Sequence, residues 1–286
     1  MASSVRTHSC LAFAAISWGL TFPLIERAVR HVPPSEFVFW RFLLASLILL
    51  PFIAKRLSKT TRWVLLGGGV LGLLNSGIFI FQSIGLETIS ASRAAFITGS
   101  SVLLVPFLGP LFGMGRVHLK DVALALLCLL GLYILTGAQL ASLRIGDLWV
   151  LACALCVALS LVFIQKLAHH KISYQLLTFY QIILTMPLAG LTLTHSTLAI
   201  LHGEALIALL FCALIGTALS LFLQMYGQQH TTAAKTALIF TLEPVSASIF
   251  AWLINGEAIT WQVVIGGIVI LSSIVLAELW PKKTAP

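Results

Sequence analysis

The sequence predicts an all-α polytopic membrane protein of ten transmembrane helices, arranged as two inverted five-helix repeats. Three observations predict it. Of the 286 residues, 59% are hydrophobic and 9% charged, which leaves a water-soluble fold of this length too few polar side chains to cover its surface. The apolar residues fall into ten runs, each near the roughly 20 residues that carry a helix across a hydrocarbon core of about 30 Å. A segment of the first half recurs five runs later in the second, so the two copies point in opposite directions across a bilayer.

The first run, residues 9–28, follows Arg6 and continues through Trp18, Pro23 and Glu26 without a processing site; it reads as a retained span and not a cleaved leader. The next four cover 35–54, 63–86, 92–114 and 121–138. The second half supplies 147–167, 173–194, 205–227, 233–254 and 260–280. Trp63, Trp149, Trp252, Trp261 and Trp280 stand at or near run ends, where an indole settles at headgroup level. Trp18 is mid-span. Cys10, Cys128, Cys153, Cys156 and Cys212 all lie inside apolar runs and are expected to pack as small hydrophobes, the CxxC pair included.

Of the 17 Lys and Arg residues, Arg27, Arg30, Arg41, Arg93 and Arg144 sort to one side of the membrane and the other twelve, Lys171, Lys282 and Lys283 among them, to the other. This bias predicts that both termini are cytoplasmic. The basic residues form no continuous face or arm, so the formal charge of +8 does not point to nucleic acid.

The repeat aligns GLETISASRAAFI, from Gly85 to Ile97, with GQQHTTAAKTALI, from Gly227 to Ile239. Gly85, Ala91, Ala95 and Ile97 recur as Gly227, Ala233, Ala237 and Ile239; Lys235 replaces Arg93, and one turn earlier Gln82 recurs as Gln224. The loops agree in sign. The second-to-third connection carries Lys55, Arg56, Lys59 and Arg62, while the seventh-to-eighth holds His195, His202 and Glu204. Residues 1–142 and 143–286 are thus expected to form the two halves, with a midplane site between them.

These stretches resemble the drug/metabolite transporter superfamily in its EamA-type branch. The likeness rests on SWGLTFPLIERA in the first span, PSEFVFWRFLLA in the second, TISASRAAFITGSSVLLVPFLGPLFG around the fourth and TTAAKTALIFTLEPVSASIFAWLINGEAIT around the ninth. It implies ten helices in two inverted halves, cytoplasmic termini and transport of small organic metabolites, often outward. The first half departs from the second where Ser101 stands against Glu243, and where Met114, Gly115 and Arg116 stand against Gly256, Glu257 and Ala258. The resemblance therefore leaves the coupling ion unassigned.

Polar groups at membrane depth are expensive unless they pair or line a wet cavity. Asn75, Phe79 and Gln82 share one face of the third span, and Thr217, Ser220 and Gln224 repeat that face in the eighth. Both are expected to line a central cavity, with interhelical hydrogen bonding as the plainer alternative. Thr98 and Ser101 face it from the fourth span, and Trp18 and Phe22 share a face of the first. Tyr180 offers further aromatic surface. Glu243, before Pro244, is the buried carboxylate expected to accept a proton or hold a cationic group. Glu26 and Arg41 are expected to pair near the outer ends of their spans, and Gly67, Gly68, Gly69 and Gly72 to admit close helix packing.

The function expected is that of an inner-membrane secondary transporter for a small metabolite, an amino acid or related compound, most simply by export and alternating access. It would act in the lipid bilayer as a monomer or homodimer, with no cofactor, metal or nucleic-acid partner. The sequence contains no G-x-x-x-x-G-K-[ST] loop with which to use a nucleotide. An intramembrane lipid-modifying enzyme is the rival, but its clustered His, Asp, Glu or Cys have no counterpart in the spans.

Overall fold

The structure is a computed structural model that describes residues 2–113, 116–135, 144–168, 172–191, 193, 198–201 and 203–279. Met114, Gly115, Lys171, His195, His202, Trp280, Lys282 and Lys283 lie outside the described residues.

The apolar runs are helical. The first half comprises α1 (Ala2–Ala28), α2 (Pro34–Ile53, continued by a 3-10 turn over Ala54–Lys59), α3 (Arg62–Gly85), the in-line pair α4 (Ala91–Gly99) and α5 (Ser101–Leu111), and α6 (Leu119–Leu135). The second comprises α7 (Ile145–Ala168), α8 (Tyr174–Leu191), α9 (Gly203–Ala213), which runs through a π-helical stretch at Leu214–Leu219 into α10 (Ser220–Gln228), the in-line pair α11 (Ala233–Phe240) and α12 (Leu242–Asn255), and α13 (Trp261–Leu279). Among the described residues, seven helices are long and apolar enough to cross a membrane, and Trp261–Ala277 adds a shorter one.

Local chemistry sets the ends. Pro34 opens α2 at a position where its missing N–H costs nothing. The Thr61 and Thr232 hydroxyls accept from Val64 N and Lys235 N, capping α3 and α11. Gly113 follows α5 with φ 76° and Gly256 follows α12 with φ 71°, a left-handed conformation in which glycine carries no Cβ penalty.

The side chains turned away from the bundle are apolar. Leu66, Leu73, Ile207, Val264 and Ile268 are each more than half exposed, a surface suited to lipid and not to water. Trp63, Trp252 and Trp261 stand exposed at helix ends, as expected of interfacial indoles. Inside, small residues set the helix spacing. A Cβ on Gly68 would lie 2.5 Å from Tyr180 Cβ, and one on Gly72 3.0 Å from Leu184 Cβ, so α3 rides closely on α8. Gly69 does not share this role, since its Cβ would meet nothing nearer than Leu184 Cδ1 at 4.0 Å. Where α1 crosses α12, a Cβ on Gly19 would fall 2.7 Å from Glu243 O and 2.8 Å from Ala247 N.

Of the five cysteines, Cys128, Cys153 and Cys212 are buried and Cys10 and Cys156 partly so. Cys128 Sγ lies 2.6 Å from Ser273 Oγ and Cys153 Sγ 4.0 Å from Thr98 Oγ1.

Candidate functional site

A cavity inside the helix bundle is lined by residues from both the N-terminal and the C-terminal part of the chain, a concave setting of the kind that takes small organic molecules. Trp18, Asn75, Phe79, Gln82, Thr98, Ser101, Gln224 and Glu243, all named from sequence, line it together. The polar face of α3 therefore does turn inward. Asn75 is tied outward to Gln181, its Nδ2 3.4 Å from Oε1. Gln82 Oε1 is buried and has no hydrogen-bond partner, so a donor arriving in the cavity would satisfy it.

Three residues of the expected lining lie elsewhere. Phe22 is fully buried among Ile25, Phe37 and Ala95. Thr21, at i+3 from Trp18 where Phe22 is at i+4, takes the cavity position, on the flank of Trp18 opposite to Phe22. Thr217 accepts a hydrogen bond from Arg41 Nε at 2.6 Å, and Ser220 donates to Ile215 O at 2.7 Å. The π-helical stretch explains the placement of Thr217. Its extra residue turns the chain before it by about 100° relative to a regular helix, so Leu221 and Gln224 line the cavity and Thr217 does not. Tyr180 packs against Gly68 and its hydroxyl meets Thr60 Oγ1 at 3.0 Å, away from the cavity.

The remaining wall comes from Ile78, Gly99, Val157, Ser160, Ala237 and Phe240. Val157 and Ser160 repeat the spacing of Trp18 and Thr21 on the first helix of the second half, a comparison of the two helices that would have found them. Trp18 meets Phe240 edge to face, with centroids 5.0 Å apart, and donates from Nε1 to Gly216 O at 2.8 Å.

Glu243 lies in the first turn of α12 and is 9% exposed. Helix breaks at Ser100 and Thr241 adjoin the lining residues Gly99, Ser101 and Phe240, and each hydroxyl donates back to a carbonyl three residues earlier at 2.6 Å, Ile97 O and Leu238 O. A carboxylate in a helix first turn complements the positive end of the peptide dipoles. Among the described residues no cation pairs with Glu243, so its carboxyl is available to the cavity.

Beyond the cavity, one end of the bundle is closed by a polar cluster. Glu26 accepts from Ala91 N at 3.1 Å, Asn255 Nδ2 at 2.7 Å and Arg30 at 3.0 Å. Arg27 donates to Asn255 Oδ1 at 2.9 Å, to Ile254 O and to Glu204 at 2.6 Å. Ser92 donates to Glu257 Oε2 at 2.6 Å. The expected Glu26–Arg41 pair does not form. Arg41 is 0% exposed inside α2, so it also marks no loop; Glu26, one turn from the end of α1, is drawn to the free N–H groups opening α4. At the opposite end Gln165 makes the same bond, accepting from Ala233 N at 2.5 Å where α11 begins.

Burial pushes the Glu257 carboxyl above its ordinary range, with the Ser92 hydrogen bond opposing and the nearby Glu26 reinforcing the shift.

The EamA-like transporter family matches residues 6–137 and 144–279. A transporter of Archaeoglobus fulgidus, described as uncharacterized, is 29% identical over 94% of this chain and 84% of its own length. A Salmonella typhimurium protein named as a probable amino-acid metabolite efflux pump is 24% identical over 91% and 90%. A crystal structure of a protein with 17% identity superimposes with a TM-score of 0.76 over 96% of this chain and 98% of that one, a likeness of fold.

Proposed function

The chain belongs to the EamA-like transporter family, and on that premise we propose that it is an inner-membrane carrier exporting a small metabolite, an amino acid or a derivative, by alternating access. Residues 1–142 and 143–286 form two inverted five-helix halves with both termini cytoplasmic, and the cavity at their junction is the substrate site. One observation carries this reading: the halves line the cavity from matching positions. Phe79 and Gln82 match Leu221 and Gln224, and Thr98 and Ser101 match Phe240 and Glu243, in the register of the repeat; Trp18 and Thr21 share their spacing with Val157 and Ser160. Two pseudo-equivalent half-sites on one pocket suit a binding site opened to each face in turn by exchange of the halves' conformations. The paired bonds of Glu26 to Ala91 and Gln165 to Ala233, at opposite ends of the bundle, support the inversion. The name of the Salmonella relative supports an amino-acid metabolite as cargo.

Trp18, Asn75, Phe79, Gln82, Thr98, Ser101 and Gln224 are the substrate contacts on this reading, and Glu243 the proton site. Purified protein in proteoliposomes, screened with radiolabelled amino acids, is expected to show saturable counterflow of at least one. Gln224→Leu should cut that flux at least about tenfold, as loss of one or two substrate hydrogen bonds implies, with an unchanged melting temperature. Absence of counterflow for every amino acid and amino-acid derivative tried, alongside turnover of labelled lipid, would replace the carrier with the enzyme.

The polar cluster is the gate on the outer face. Its Glu257 binds a proton more readily while buried than it would after opening to water, so the closed cluster gains on the open one as pH falls and loses that advantage as pH rises. Spin labels at the exposed His31 and Ile259 should show a growing short-distance population on acidification from about pH 8 to about pH 5. Glu257→Gln should hold the short distance throughout; a variant that still follows pH removes Glu257 from the gate.

A further inference from the structure

We propose that Arg41 selects the substrate by its carboxylate, so that the cavity discriminates a carboxylic acid from its uncharged amide. The inference deepens the carrier reading and rests on it. Arg41 is fully buried in α2, yet its hydrogen bonds go to neutral oxygens, Nε to Thr217 Oγ1 at 2.6 Å and Nη2 to Gly216 O at 3.2 Å. Nη1 is buried and has no partner, and no acidic side chain pairs with the guanidinium among the described residues. A lone cation held this deep is costly. The fold nevertheless goes to some length to hold it. The π-helical stretch that frees Gly216 O for both Arg41 and Trp18 interrupts a regular helix, a feature common at functional sites.

The charge stands one side chain from the cavity. Its Cζ lies 4.3 Å from the Phe79 ring centroid, and Phe79 lines the cavity. Thr21, another lining residue, abuts Gly216 closely enough that a Cβ there would come within 2.7 Å of its methyl. Phe79 is thus the partition between the guanidinium and the cargo. When it turns aside, Nη1 is the donor left open, and a planar carboxylate is the anion that a guanidinium fork receives best. Glu243 lines the cavity from α12 and shares no bond with Arg41, so a substrate can meet the two charges separately.

The test is equilibrium binding to purified protein at about pH 6, where the α-amine of every probe is protonated, with probes that differ in carrying a carboxylate or a carboxamide: leucine against leucinamide, and phenylalanine against phenylalaninamide. Wild type is expected to bind at least one acid about tenfold or more tightly than its amide. Arg41→Gln should bring that ratio to about one while leaving amide affinity within about threefold, because the amide never used the charge. Arg41→Lys, which keeps the charge without the fork, should retain a reduced preference. If Arg41 only braces the π-helical stretch, acid and amide weaken together in both variants, and the proposal falls. It falls equally if wild type shows no acid-over-amide preference. Failure of the carrier reading has a different signature: the expected ratios in binding with no counterflow in proteoliposomes.

Discussion

Gly19→Val is expected to lower the melting temperature of the purified protein more than any single lining substitution, and to abolish transport in what remains folded. The close contacts at Gly19 include backbone: Glu243 O and Ala247 N lie 2.7 and 2.8 Å from where a Cβ would sit. Backbone in a packed helix cannot swing away as a side-chain tip can. Relief therefore requires α1 to lift off α12, which also carries the Glu243 end of the cavity and the Asn255 contact to Glu26 and Arg27. Overpacking of this kind costs about 1–3 kcal/mol for modest insertions, and for a chain of this size each kcal/mol moves the melting temperature by roughly 2–4 °C. Gly19→Ala should already fall several degrees, and Val further. Gly69→Ala is the control: its nearest neighbour would be 4.0 Å away, so stability should hold. Equal melting temperatures for Gly19→Ala and Gly69→Ala would mean that the crossing of α1 and α12 is not the close one described.

Much of this architecture is legible in the sequence because lipid imposes a single solution on the backbone. With no water to satisfy N–H and C=O groups, an apolar run of the right length is a helix, and the runs ending near Gly85, Gly113 and Gly256 do end there. Half of the pocket was legible for a related reason: Asn75, Gln82 and Gln224 have no reason to be polar unless they face protein or water. What sequence periodicity did not reveal is backbone irregularity. A regular 3.6-residue repeat puts Thr217 beside Gln224, and the π-helical stretch turns it to Arg41, while Ser220 spends its hydroxyl on Ile215 O inside that stretch. Pro244 stands just after the break at Thr241, but the break at Ser100 has no proline at the equivalent Val102, and the Ser100 hydroxyl simply bonds back onto the turn before it. Arg41 misled for a third reason. Counting charges treats every Arg as a loop residue, and a guanidinium buried against Phe79 and Thr217 leaves the same trace in a sequence as one at the surface.

The remaining large effect is expected at Glu243. Among the described residues it is the one titratable side chain in the wall of the cavity, so a proton taken up there is held at Glu243. A carrier whose loaded and empty forms differ in protonation at Glu243 can use a pH difference across the membrane, and each pH unit can support about a tenfold accumulation for one coupled proton. Glu243→Gln keeps the shape and the first-turn position in α12 but cannot exchange a proton. Proteoliposomes holding wild type should therefore accumulate substrate against its gradient when a pH difference is imposed, and those holding Glu243→Gln should only equilibrate it. Counterflow without a pH difference should stay within about threefold of wild type, since the coupling energy is absent from that measurement. Glu243→Asp, which retains the carboxyl on a shorter stem, should recover part of the accumulation. If the Gln variant still concentrates substrate in proportion to the imposed pH difference, the proton travels by another route and Glu243 serves to hold the opening of α12 beside Ser246 and Gly19.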